Sequence, residues 1–78
     1  MASVAARLDV RGLNCSDAVV RLHKTLHALP PGALVRVEVD DAEVLVDLKK
    51  YAARGGHAWE GSRTLPGGLI EAEVRKGA

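Results

Sequence analysis

"LVRVEVDDAEVLVDLKKYAARGG", residues 34–56, changes its hydrophobic period half-way along. Up to Val39 the pattern alternates: Val35, Val37 and Val39 face one way and Arg36 and Glu38 the other, as in a strand with one buried face. Beyond Asp40-Asp41 the apolar positions fall three and four apart, at Val44 or Leu45, Leu48, and Tyr51 with Ala52, which is the stripe of a helix. Either aspartate can cap that helix, because a short carboxylate accepts from the unpaired N–H groups of the first turn. Gly55-Gly56 closes it, glycine being free to take a positive φ after the last turn.

The same switch of period occurs upstream. "ARLDV" (6–10) alternates, with Leu8 and Val10 on one side and Arg7 and Asp9 on the other. Cys15, Val19, Leu22, Leu26 and Leu29 then follow at steps of four, three, four and three, and Pro30-Pro31-Gly32 ends the helix they define. Downstream, "HAWEGSR" (57–63) and "LIEAEVR" (69–75) read as strands joined by "TLPGG", a proline–glycine hairpin signal. In the last of them Ile70, Ala72 and Val74 alternate with Glu71, Glu73 and Arg75. The order is β-α-β-α-β-β. Right-handed crossovers put both helices on one face of the sheet. The fold class is therefore α+β, a two-layer α/β sandwich. Its open face carries Asp9, Arg36, Glu38, Glu71 and Glu73, a solvated surface with no assigned function.

Composition narrows the function. The chain has 78 residues, one cysteine and a formal net charge of +1, so it reads as a single domain over 1–78 with an ordered core at about 6–76. A chain of this size buries only roughly 60% of the surface its unfolded form exposes. One cysteine makes no internal disulfide, which fits a reducing, cytoplasmic setting. The opening "MASVAARLDV" has no signal-like apolar run, and no stretch approaches transmembrane length. Balanced charge and two aromatics, Tyr51 and Trp59, give no nucleic-acid footprint. Neither nucleic acid nor membrane is expected as a partner, and the sequence specifies no oligomeric state.

Cys15 has two readings. It heads the apolar stripe, so it fits a small buried hydrophobe. It also stands at a helix N-terminus, where unpaired N–H groups and the helix dipole favour a thiolate and lower its pKa. Ser16, read at the first helical position, and Asp17 supply first-turn N–H groups. Arg11 adds positive charge, and the Asp17 carboxylate works against it. A redox cycle would need a second thiol, and the chain has none. A hydrolase would need a histidine base, but His23 and His27 lie two and three turns down the same helix. His57 heads the third strand without an orienting partner. A lone reactive thiol can still accept a sulfur atom as a persulfide and pass it on.

"LDVRGLNC" (8–15) resembles the opening of the TusA/SirA-like sulfur-carrier family, whose pattern is L-D-x-x-G-L-x-C-P-x-P. The likeness continues through "HKTLHALPPG" (23–32), "VDD" (39–41), "GGH" (55–57) and "VRKG" (74–77). It implies a four-stranded mixed sheet of order 1-2-4-3 with the last strand antiparallel. It also implies Cys15 as the catalytic, sulfur-bearing residue, Lys24 at the place of a recurrent helix lysine, sulfur-donor and sulfur-acceptor proteins as partners, and no cofactor. The chain departs from the pattern at Cys15-Ser16-Asp17-Ala18, where both prolines are gone, and at Ala42, where a proline is common.

Lys24 lies opposite the buried stripe by helical angle, flanked by Val20 and Asp17. With Asn14 these form a candidate docking surface leading back to Cys15. His23 and His27 are four apart but lack a third ligand, so no metal is expected. Trp59 reads as core or sheet-edge packing. Two other functions compete: a non-catalytic interaction or regulatory module that keeps the fold, and a metal carrier using Cys15 with a histidine across an oligomer contact.

Overall fold

In the computed structural model, which describes residues 4–77, the chain runs β1 (Val4–Asp9), α1 (Cys15–His27), β2 (Leu34–Val39), α2 (Ala42–Arg54), β3 (Ala58–Thr64), a 3₁₀ turn (Pro66–Gly68) and β4 (Ile70–Arg75). The sheet order is β1-β2-β4-β3. β1 and β2 are parallel, and β4 is antiparallel to both β2 and β3. This is the predicted element order and the strand order that the resemblance implies. The registers Val35↔Val74 and Val37↔Ala72 set the inward residues of β2 and β4 opposite one another. They complete a core of Val, Leu and Ala with Val10, Leu22, Leu26, Val39, Val44 and Leu48. Trp59 is half-buried on β3 beside a bulge at Gly61 and packs against the edge of that core.

The open face is an ionic lattice. Arg36 bonds Glu73 at 3.0 Å and approaches Glu71 at 3.8 Å, while Arg63 reaches Glu71 at 3.1 Å. β2–β4 pairing places Arg36 directly across from Glu73, and opposite charges so placed stabilise a sheet by a few tenths of a kcal/mol, about 0.2–1.

Three boundaries differ from the sequence reading. The buried line of α1 is Ala18, Leu22 and Leu26, and Cys15, Val19 and Leu29 are only partly buried against it. Alanine carries little hydrophobic signal, so the apolar stripe drifted toward Cys15 and Val19, which turn toward α2. The helix also stops at His27, ahead of the prolines. The Lys76 ammonium donates to the Leu26 carbonyl at 2.6 Å and satisfies an acceptor of the last turn. Finally, Cys15 rather than Ser16 holds the first helical position, because Asn14 is the cap: its side-chain oxygen accepts from the Asp17 N–H at 2.8 Å. Asn14→Ala is expected to cost about 0.5–2 kcal/mol, read as a lower urea midpoint.

The two aspartates after β2 have different work. Asp41 caps α2 by accepting from the Glu43 N–H at 2.8 Å. Asp40 instead accepts from the Gly12 N–H at 3.2 Å, tying the turn after β2 to the turn after β1. The "GGH" and "VRKG" stretches meet in space. The Gly77 N–H donates to His57 Nδ1 at 2.9 Å, and a Cβ on Gly77 would run into the Gly56 carbonyl.

Candidate functional site

α1 and α2 each follow one of two parallel strands, so they run side by side in the same direction and their N-termini share one end of the sandwich. Cys15 stands at that end, in the seam, with a partly exposed thiol. Two hollows open onto it. One, of about 330 Å³, is lined by Cys15, Ser16 and Val19 from α1 and by Asp47, Lys50, Tyr51 and Arg54 from α2. The other, of about 360 Å³, is lined by Cys15, Ala42, Glu43, Val46 and Asp47. Val46 is 49% exposed, as is Val20 on α1.

The electrostatics overturn the expected lowering of the thiol pKa. The Asp47 carboxylate, which shares both hollows with the thiol, is the largest cause that pushes the Cys15 pKa up. Desolvation adds to the rise, and so do the charges of Asp47, Asp41 and Glu43. Asp41 and Glu43 are well placed for α2's own N-terminus, where negative charge complements the dipole. Side-by-side helices carry that charge to α1's first residue as well. Sequence reasoning weighed only the termini of α1 and so missed Asp47. The acids were visible in "DDAEVLVD", but their bearing on Cys15 exists only once α2 lies beside α1.

The other candidate residues divide. Ser16 lines the hollow of about 330 Å³. Asp17 gives its N–H to Asn14, which is thereby occupied as a cap. Arg11 is committed to Asp9 in a two-pronged pair, with Nε–Oδ1 and Nη2–Oδ2 both 2.9 Å. That pair holds the Asp9 carboxyl down at about 2, and Arg11 lines neither hollow at the thiol. Lys24 lines a separate depression with Leu8, Arg21 and Thr25, on the β1 side of α1. Lys24 thus lies outside both hollows at the thiol.

The histidines form a cluster away from Cys15. His23 Nδ1 and the Tyr51 hydroxyl are 2.8 Å apart, and the His23 and His27 rings lie with centroids 4.1 Å apart, tilted by 47°. Among the described residues, no group of three or more His, Cys, Asp or Glu side chains could hold a metal ion. His57 accepts from the Gly77 N–H through Nδ1, which makes it a fastener of the chain end and not a base for the thiol. Burial lowers its pKa, with Lys76, His27 and His23 adding repulsion. The folded state thus refuses a proton that the unfolded chain accepts. Stability is expected to fall as pH drops below about 6.5, the ordinary histidine value. Melting temperatures across pH 8 to 5 test this, and His57→Gln should flatten the slope.

The sequence profile of the family described as "Sulfurtransferase TusA" matches residues 6–76. A sulfur carrier protein TusA of Pseudomonas aeruginosa (strain LESB58) is 40% identical over 55 residues, covering 70% of this chain and 70% of its own length. The sulfur carrier protein TusA of Pseudomonas entomophila (strain L48) is 34% identical over 62 residues, covering 80% of this chain and 78% of its own. The crystal structure of a SirA-like protein from Desulfitobacterium hafniense superposes with a TM-score of 0.83 at 30% identity, covering 94% of this chain and 99% of that one. No helix among the described residues is long and apolar enough to cross a membrane.

Proposed function

The chain belongs to the TusA sulfurtransferase family, and from that premise we propose that Cys15 carries sulfane sulfur as a persulfide between a donor and an acceptor protein. The observation that supports this most is the placement of the chain's one thiol. It is the first residue of α1, partly exposed, with hollows on two sides. In the loading step the Cys15 thiolate attacks the terminal sulfur of the donor's persulfide. The donor's S–S bond breaks, a new one forms at Cys15, and the donor leaves as a thiolate that takes up the proton released by Cys15. The transferred sulfur keeps its oxidation level, so the exchange needs no outside oxidant or reductant.

First-turn N–H groups of α1, including that of Ser16, support the anion that forms. The partners are proteins, meeting the chain around the exposed Val20 and Val46 with Lys24 at the far margin. The setting is the cytoplasm, where a lone thiol stays reduced. Intact mass of protein from a sulfur-replete host, with and without reductant, tests the reading. A reductant-labile adduct of one sulfur atom is expected. A bare mass under all conditions would favour the non-catalytic module, and a chelator-sensitive ion would favour the metal carrier.

A further inference from the structure

Among the described residues, Asp47 is the only one besides Cys15 that lines both hollows at the thiol. It is half-buried, whereas the nearby Asp41 and Glu43 are exposed, with Asp41 also engaged in capping α2. Lys50 and Arg54 line only the hollow of about 330 Å³. Tyr51, in the same hollow, has its hydroxyl at His23. On the other side Arg11 is held by Asp9, and α1 contributes Asp17, another acid. One carboxylate therefore stands against the thiol wherever a partner reaches it.

We propose, resting on the sulfur-carrier reading, that Asp47 is a positioning residue that drives sulfur off Cys15 by favouring the neutral thiol over the charged persulfide. A persulfide S–H is more acidic than a thiol, so the loaded cysteine is an anion at neutral pH and lies next to the Asp47 carboxylate. Like charges at close range in a partly desolvated seam repel. In unloading, an acceptor thiolate attacks the terminal sulfur of Cys15. The S–S bond at Cys15 breaks, Cys15 leaves as a thiolate, and it takes up the proton that the acceptor thiol gave up. Written as a balance, Cys15–S–S⁻ plus an acceptor thiol gives Cys15–SH plus the acceptor persulfide anion. The negative charge departs with the sulfur, and a neutral thiol is restored beside Asp47. The upward push on the thiol pKa from Asp47 agrees with this arrangement.

Asp47→Asn keeps the shape and removes the charge. In the reduced protein, the pH profile of Cys15 alkylation by iodoacetamide is expected to move to lower pH. The neutral-pH rate should rise roughly threefold or more, since the gain in thiolate outweighs its weaker nucleophilicity. Equilibrated against glutathione persulfide and glutathione, the variant should hold a larger loaded fraction than the wild type, and Asp47→Glu should return both readouts toward wild type. An unchanged alkylation profile overturns the proposal. So does a shifted profile with no gain in loaded fraction, because Asp47 would then act on the resting thiol alone. Failure of the wild type itself to load would overturn the sulfur-carrier reading, and is told apart by the wild-type sample in the same experiment.

Discussion

Cys15→Ala is expected to abolish sulfur loading completely and to leave the protein folded. The chain has one cysteine, so no other side chain can form the persulfide, and the loss has no partial form. The cost in stability should be small. Cys15 is partly exposed and packs only at the edge of the core, so removing its sulfur leaves no sealed cavity. The expected loss is on the order of 1 kcal/mol, against about 2–5 for a leucine taken from the interior. Intact mass after exposure to a persulfide donor measures the first effect and a urea titration the second. A one-sulfur adduct on the variant would overturn the assignment of Cys15.

Leu48→Ala is expected to be the contrasting case, with chemistry untouched and stability sharply reduced. Leu48 is fully buried at the centre of α2, between Val44 and Ala52 on the same face. It faces a core of Val, Leu and Ala, and the surroundings of a truncated core leucine relax only partly into the space it leaves. A loss of about 2–5 kcal/mol follows from the transfer and cavity terms together. Against a total of roughly 4–12 kcal/mol for a chain of this length, that is a large share, and some of the protein would be unfolded at growth temperature. The urea midpoint should drop steeply with little change in slope. Val20→Ala, on the exposed side of α1, should stay within about 0.5 kcal/mol. Near-equal losses in the two variants would contradict this picture of the core.

The contrast between Leu48 and Cys15 also marks what the sequence could reveal. The burial of Val44, Leu48 and Ala52 in α2 and of Val35, Val37 and Val39 in β2 was legible because period alone decides which residues of an element face inward. Strand order was not legible that way. Alternation shows that β4 has an inner face but not that it pairs between β2 and β3, and only the family resemblance supplied the order. The cysteine's place at a helix start was legible to within one residue, since it heads the apolar stripe. Its charge environment was not. Arg11 turns back two residues to Asp9, and Asp47 comes from the neighbouring helix. Both contacts depend on side-chain directions that no spacing rule specifies.

The tryptophan gives the protein a built-in optical probe with a useful blind spot. Trp59 is the chain's one indole, half-sheltered on β3, the sheet edge opposite β1, and it lines neither hollow at Cys15. Its fluorescence should therefore shift to the red on unfolding and stay constant as sulfur arrives at or leaves the thiol. Folding can then be followed by emission during a transfer assay, in the same cuvette and without a label.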